Sequence, residues 1–119
     1  MALPSPARTD NPLPRFAEVA SELGMNREEQ AAFLGLSRSS YFRLLKAQEV
    51  EPGVAALAEF LPSAYDYLNE LFGNEEDVRN WLTLPNLALS RRRPVELLLS
   101  LKGYERVIET AARGVYGVY

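Results

Sequence analysis

Apolar residues recur three or four positions apart through most of this chain, which is the spacing of helices that bury one face. The last third shows the pattern most clearly, because its apolar positions from Tyr104 fall at offsets of three, four, seven, eight and eleven. They are Tyr104, Val107, Ile108, Ala111, Ala112 and Val115. Ser100 suits an N-cap and Gly114 suits the position after a helix end. The pattern predicts an amphipathic helix between these two residues.

The segments before it have the same helical period. Asn26 is followed three positions later by Glu29, which is the spacing of a capping box. Ser37 can cap a further helix, and a longer one is predicted from 52 to 72, where Pro62 should introduce a kink or a break. No segment alternates apolar and polar residues for long enough to predict a strand. The expected fold class is all-α, a small helical bundle.

Two short helices are expected between the long ones. Asn74 can cap a helix that ends near Leu82, and the acidic residues 75–77 suit its positive end, so we assign them a structural role. Pro85 opens a loop that carries Leu87 and Leu89. Pro94 suits the first position of the next helix, because its missing N–H has no partner to lose there.

The first fourteen residues contain four of the eight prolines, Pro4, Pro6, Pro12 and Pro14. Proline fixes φ and removes a hydrogen-bond donor. We therefore predict a flexible or extended arm over residues 1–14, with a proline-rich recognition ligand as the alternative.

Composition excludes several classes of function. The 119 residues are 47% hydrophobic and 24% charged, which is typical of one globular domain. The chain has no histidine and no cysteine, so it lacks the commonest general base, the usual zinc ligands and any disulfide. No glycine-rich phosphate loop is present. We expect no enzyme activity, no metal and no cofactor. No membrane span or signal peptide is expected, and the absence of cysteine fits a cytoplasmic protein.

Residues 27–45 have the spacing of a helix-turn-helix. This motif needs a small residue in its first helix, a glycine in the turn and apolar anchors in the second helix. Ala31 and Gly35 supply the first two. The apolar anchors are Leu36, Tyr41 and Leu44.

The second helix of this motif is the candidate DNA reader, because such a helix enters the major groove from its N-terminus. Its outward polar residues are Arg38, Ser39, Ser40, Arg43 and Lys46. Arg38 can reach a base edge or a phosphate, the serines offer hydroxyl contacts, and Arg43 and Lys46 suit phosphates. The alternative is a solvated face without DNA. The formal net charge of −3 does not favour tight DNA binding by one copy alone.

The C-terminus is unusual because it has no charged side chain after Arg113. Its apolar residues are Val115, Tyr116, Val118 and Tyr119. Such a tail either packs on its own bundle or docks into a partner, since exposed apolar surface on a folded protein often marks a binding site.

The order of residues in the last third resembles the C-terminal domain of the MbcA/ParS/Xre antitoxins, which are partners of RES-domain toxins that degrade NAD. The matching positions are Pro85-Asn86, Leu87, Leu89, Ser90, Arg93-Pro94, Glu96-Leu97-Leu98, Gly103, Val107 and Gly114-Val115. Arg91 and Arg92 stand where the family often has glycines. The helix-turn-helix is similar to the Xre-type motif that precedes this domain in the family.

After the predicted arm at 1–14, the resemblance implies a helix-turn-helix region at 15–61 and a toxin-binding domain at 62–119. It further implies the antitoxin of a type II toxin–antitoxin system, which obstructs the NAD cleft of a RES-domain toxin with its C-terminal segment. The implied toxin-binding residues are Lys102, Arg106, Arg113, Gly114, Val115, Tyr116, Gly117, Val118 and Tyr119.

The same resemblance implies a homodimer within a larger toxin–antitoxin complex that binds operator DNA and represses its own operon. The antitoxin itself needs no cofactor, whereas the toxin uses NAD. The arginines 91–93 form a second basic site for phosphate or for ion pairs, and we favour a structural or partner role for Arg93. The alternative function is a stand-alone helix-turn-helix transcriptional regulator without a toxin.

Overall fold

The computed structural model describes residues 9–98 and 100–116, without the side chains of Thr9, Leu101, Val115 and Tyr116. Its elements in chain order are β1 (Thr9–Asp10), α1 (Leu13–Glu22), α2 (Arg27–Phe33), α3 (Arg38–Leu45), β2 (Glu49–Val50), α4 (Pro52–Phe72), α5 (Glu75–Thr83), a 3-10 turn (Leu87–Leu89), α6 (Pro94–Leu97) and α7 (Leu101–Tyr116). The all-α prediction is confirmed, with one short antiparallel strand pair as an addition.

The chain divides into two compact units, Met1–Glu59 and Phe60–Tyr119. The division falls within α4, two residues before the boundary predicted from the sequence. We call these parts unit 1 and unit 2 and describe each by itself.

Unit 1 is built on α1, α2 and α3. Their inward side chains include three aromatic rings, with Phe16 5.4 Å from Phe33 and 6.3 Å from Tyr41 between ring centroids. All three residues are buried, as is Ala31 of α2. The small side chain predicted for α2 and the aromatic anchor predicted for α3 are therefore both in the core.

The predicted helix caps are present. The Asn26 side chain accepts the N–H of Glu29 at 2.8 Å, and the Glu29 carboxylate accepts the N–H of Asn26 at 3.0 Å. The Ser37 hydroxyl accepts a backbone N–H of α3 at 3.1 Å, and the Asn74 side chain accepts one of α5 at 2.8 Å. Each cap satisfies a donor that the helix leaves without an intrahelical partner.

Of the two forms predicted for the arm, flexible or extended, the flexible one is wrong for residues 9–14. Strand β1 pairs with β2, and α1 begins at Leu13 with Pro14 in its first turn. Asn11 fixes this segment: its amide donates to the carbonyls of Leu44 at 2.7 Å and Ala47 at 2.8 Å, while its oxygen accepts the N–H of Leu13 at 2.9 Å. These bonds join the start of α1 to the end of α3. Residues 1–8 of the predicted arm lie outside the described residues.

The predicted break at Pro62 does not occur, because α4 runs through it to Phe72. A proline inside a helix cannot donate to the carbonyl four residues earlier. The apolar stripe around it offsets this loss: Ala58, Leu61 and Ala64 are fully buried.

Unit 2 contains α5, α6 and α7. The predicted inward stripe of α7 is confirmed at its centre, where Val107 and Ala111 are buried, while Tyr104, Ile108 and Ala112 are half-buried. The Ser100 hydroxyl accepts the N–H of Gly103 at 3.0 Å and caps the helix as expected. The predicted end at Gly114 is wrong, because α7 continues to Tyr116. A glycine costs a helix about 1 kcal/mol, and the buried stripe of α7 outweighs that cost.

Candidate functional sites

The candidate DNA-binding residues lie on α3 and just after it. Arg38, Ser39, Arg43 and Lys46 are exposed, and Ser40 is half-buried with its backbone N–H in the helix cap. The helix therefore presents three cations and a hydroxyl to solvent. This is the side-chain chemistry that reads phosphates and base edges.

Phe42 belongs to the same surface, although the sequence did not single it out. Its ring is 37% exposed, and the guanidinium carbon of Arg38 lies 5.6 Å from the ring centroid. The spacing of four residues on a helix was the available signal. The cation–π contact holds Arg38 against the helix surface.

A buried polar cluster fixes α3 from its other side. The hydroxyl of Tyr41 donates to the amide oxygen of Gln30 at 2.7 Å, and Arg27 donates to the same oxygen at 3.0 Å. The Gln30 amide nitrogen donates to the Met25 carbonyl at 2.8 Å and to the Ser21 hydroxyl at 3.2 Å. Gln30 is only 1% exposed, so each bond satisfies an otherwise costly buried group.

The hydroxyl of Tyr41 stays a neutral donor in this cluster. Burial raises the pKa of Tyr41 above its ordinary value of 10.0, and the nearby Arg27 guanidinium opposes that shift only in part. Sequence reasoning recognised Tyr41 as an anchor but missed its partner. The signal was a glutamine on the apolar face of α2, one residue before Ala31.

In unit 2, residues 84–92 form a loop that we call the Leu84–Arg92 loop. Its ends close on each other, since the N–H of Asn86 donates to the Arg92 carbonyl at 3.0 Å and the N–H of Arg91 donates to the Asn86 carbonyl at 2.8 Å. Leu89 is fully buried, whereas Leu87 is 81% exposed. The apolar pair predicted from the sequence thus splits between core and solvent.

Two consecutive residues of this loop have left-handed backbones, Ser90 at φ 59° and Arg91 at φ 63°. Glycine adopts this region without cost, whereas a residue with a β-carbon is strained there. Arg93 faces Glu96, with Nε 2.8 Å from the carboxylate oxygen, so the predicted structural role of Arg93 has a geometric basis.

The predicted toxin-binding residues on α7 border two grooves. Arg106, Arg113 and Gly114 line a groove of about 640 Å³ together with Trp81. Lys102 and Arg106 line a neighbouring groove of about 490 Å³. Glu109 and Arg113, four residues apart on α7, form an exposed ion pair.

The tail is described only in part. Val115 and Tyr116 continue the backbone of α7, so the chain does not leave the helix at Gly114. Gly117, Val118 and Tyr119 lie outside the described residues. A third groove, of about 470 Å³, is lined by Trp81, Leu84, Pro85 and Leu87 among others, and it shares Trp81 and Asn86 with the groove beside α7. The sequence did not mark Leu84 or Trp81 as site residues.

Two family models match the chain in the order of its units. Residues 5–52 match the antitoxin Xre-like helix-turn-helix domain, and residues 68–110 match the antitoxin Xre/MbcA/ParS C-terminal toxin-binding domain. The chain belongs to the Xre/MbcA/ParS-type antitoxins. The resemblance noted in the sequence is confirmed, and a toxin is the partner that the C-terminal domain implies. A comparison with curated proteins finds no match.

The description that matches residues 68–110 of this antitoxin names a toxin-binding domain, and the one that matches residues 5–52 names a helix-turn-helix. The helix-turn-helix match, with α3 as its second helix, indicates DNA binding by unit 1. Among residues 9–98 and 100–116, no helix is long and apolar enough to cross a membrane.

Proposed function

We propose that this antitoxin neutralises a RES-domain, NAD-degrading toxin by placing its C-terminal segment in the cleft where NAD enters. The same chain represses its own operon through α3, as a cytoplasmic homodimer within a larger toxin–antitoxin complex. The antitoxin holds no cofactor of its own. The observation that carries the proposal is the toxin-binding-domain match over residues 68–110, which ends within α7.

The chemistry of α7 supports this role. Lys102, Arg106 and Arg113 are exposed cations on the surface of the helix that leads to the tail. These cations suit acidic side chains on a protein partner, and the tyrosines of the tail combine apolar area with a hydroxyl. Because α7 extends to Tyr116, the helix delivers the final residues on a stiff support rather than on a hinge at Gly114.

The blocking mechanism is tested by shortening the chain. A variant that ends at Tyr116 keeps all of α7, whereas one that ends at Arg113 also loses its last turn. We expect both to retain helicity by circular dichroism and to bind the toxin, but to leave NAD hydrolysis by the toxin largely uninhibited. Glu70→Gln, an exposed change on α4, is the control and should inhibit like the full chain.

Full inhibition by the chain ending at Arg113 would refute the blocking mechanism. Failure of the full chain to bind or inhibit any RES-domain toxin would refute the proposed partner. These two results are distinguishable because binding by calorimetry and NAD hydrolysis are measured on the same samples.

The DNA-binding role is tested on α3. Arg43→Ala should weaken operator binding in a gel-shift titration and reduce the slope of affinity against salt by about one, as expected for a lost phosphate contact. Arg38→Ala should weaken binding as well. Arg15→Ala removes the same charge from α1 of the same unit and should have little effect. If all three substitutions weaken operator binding equally, the effect comes from net charge and not from a contact made by α3.

A further inference from the structure

We infer that the Leu84–Arg92 loop is a second toxin-binding surface, separate from the C-terminal segment. Leu87 and Leu84 would enter an apolar depression of the toxin, while Arg91 and Arg92 meet carboxylates beside it. This inference rests on the proposed function, because it takes the toxin as the partner. In this arrangement the loop provides much of the binding affinity, and the C-terminal tail inhibits the toxin.

The backbone of the loop is held by hydrogen bonds within the loop itself. The Asn86 carbonyl accepts the N–H groups of Leu89 at 3.0 Å and Arg91 at 2.8 Å, and its side-chain oxygen accepts the N–H of Ala88 at 2.9 Å. Leu89 anchors the loop in the core. The residues between these bonds are therefore preorganised, which lowers the entropy lost on binding.

The loop also carries backbone strain at a charged residue. A left-handed backbone costs a non-glycine residue free energy, and such strain persists where the side chain has a use. Arg91 is exposed and forms no ion pair with any described residue, so nothing within the described chain uses its guanidinium. A glycine would hold the same backbone without cost. The arginine is therefore best explained by a contact outside the chain.

The apolar part of the loop is equally unused within its own unit. Leu87 is 81% exposed and Leu84 is 59% exposed, which are the two highest values among the large hydrophobic residues described. Both border the groove of about 470 Å³ with Trp81 and Pro85. A rigid leucine beside an open groove offers an anchor and a pocket, the two parts of an interface hot spot.

The partner chemistry follows from the charges. Arg92 is exposed like Arg91, and neither pairs with a described carboxylate, whereas Arg93 pairs with Glu96. Two free guanidinium groups next to exposed leucines favour a protein surface with both apolar and acidic side chains. DNA backbone would satisfy the arginines and leave the leucines in water. Acidic residues also outnumber basic ones by one in residues 60–119, which does not favour DNA binding by this unit.

The toxin is the protein partner that best fits this surface. The loop lies entirely within residues 68–110, the segment that matches a toxin-binding domain, whereas the tail lies beyond it. The match therefore supports toxin binding by the body of the domain in addition to the tail. Within that body, the loop presents its most exposed leucine and its strained arginine.

The test is calorimetric titration of a purified RES-domain toxin with the full-length chain and three variants. Leu87→Ala should weaken binding by about tenfold or more, as expected for a truncated hot-spot side chain. Arg92→Gln should weaken it by about fivefold, as expected for a lost interfacial charge. Arg91→Gly should weaken binding and at the same time raise the Tm by roughly 3 °C, because glycine relieves the left-handed backbone.

The matched controls are Leu57→Ala, an exposed leucine of unit 1, and Arg79→Gln, a cation of α5 that lies near Glu75. Both should bind the toxin like the full chain. The inference is overturned if the unaltered chain binds the toxin and all three loop variants bind it with the same affinity. If the unaltered chain does not bind the toxin, the proposed function fails instead.

Two other outcomes would also overturn it. If the loop variants keep toxin affinity but lose a dimer in size-exclusion chromatography with light scattering, the loop joins copies of this chain. If they keep toxin affinity but bind operator DNA more weakly in a gel shift, the arginines bind phosphate. The opposite signs expected for stability and affinity at Arg91 distinguish a binding role from a structural one.

Discussion

The two units treat the buried oxygen of an amide side chain in opposite ways. In unit 1 the amide of Gln30 is 1% exposed, and its oxygen and nitrogen together make four hydrogen bonds. In unit 2 the side-chain oxygen of Asn69 is buried without a hydrogen-bond partner among the described residues. Directional hydrogen bonds thus orient the Gln30 amide, whereas none from the described residues holds the Asn69 oxygen.

This difference follows from what each unit presents. Unit 1 presents side chains from one helix, so the orientation of α3 about its axis matters, and directional hydrogen bonds through Tyr41 fix it. Unit 2 presents a loop closed by its own backbone and grooves along α7. Apolar packing is sufficient to hold unit 2 together, because the loop backbone and the face of α7 set the shape of each contact surface by themselves.

The largest effect is expected at Gln30. Gln30→Leu keeps most of the volume but removes the acceptor of the buried Tyr41 hydroxyl and the donor to the Met25 carbonyl. The free energy of unfolding should fall by roughly 3 kcal/mol, given about 1–3 kcal/mol for each unsatisfied buried group. Urea denaturation followed by circular dichroism measures the change.

Tyr41→Phe separates the network from the packing. Added to Gln30→Leu, it removes the orphaned hydroxyl and should recover about 1 kcal/mol, although it costs stability when made alone. Additive losses in the double variant would show that the amide and the phenol are independent, and the contrast between the units would then be wrong.

Gly103 gives the second effect and belongs to unit 2. A β-carbon at this position would overlap the carbonyl oxygen of Leu97, so Gly103→Ala must displace the turn between α6 and α7. We expect a loss of about 1–3 kcal/mol in the free energy of unfolding, measured in urea. An unchanged free energy of unfolding would mean that the close approach of Gly103 to the Leu97 carbonyl does not constrain this unit.

The sequence predicted unit 1 well where a local pattern sets the structure. The capping box of Asn26 and Glu29 and the cap at Ser37 depend on neighbours three residues away, and both are present. The arm was misjudged because its order depends on Asn11, whose partners Leu44 and Ala47 are more than thirty residues away. A proline-rich composition contains no information about such distant bonds.

Unit 2 shows the same limit at its candidate site. The resemblance selected Arg106 and Arg113, and the structure brings both to one groove. It did not select Leu84 or Trp81, because their exposure and their shared groove depend on tertiary packing. The left-handed backbone at Arg91 was also hidden, since an arginine does not predict a positive φ.

The third prediction makes the corresponding substitution at Asn69, the amide of unit 2. Asn69→Leu removes an unsatisfied buried oxygen from α4 and should raise the free energy of unfolding by about 1 kcal/mol. The same kind of change thus has opposite signs in the two units. Asn69→Asp, which buries a charge, should destabilise the chain and serves as the control. A loss from Asn69→Leu would show that this amide has a partner role like that of Gln30.

The smallest effect is expected at Gly114, where helix geometry decides the sign. Gly114 lies inside α7, and a β-carbon there would meet open space. Gly114→Ala should therefore raise stability by about 0.5–1 kcal/mol, because alanine has the higher helix propensity and loses less backbone entropy on folding. Thermal denaturation by circular dichroism measures it, with Gly73→Ala as the control, since Gly73 has φ +85° and its substitution should destabilise. A loss at Gly114 would mean that α7 ends there with a left-handed residue, and the tail would then leave the helix at a hinge.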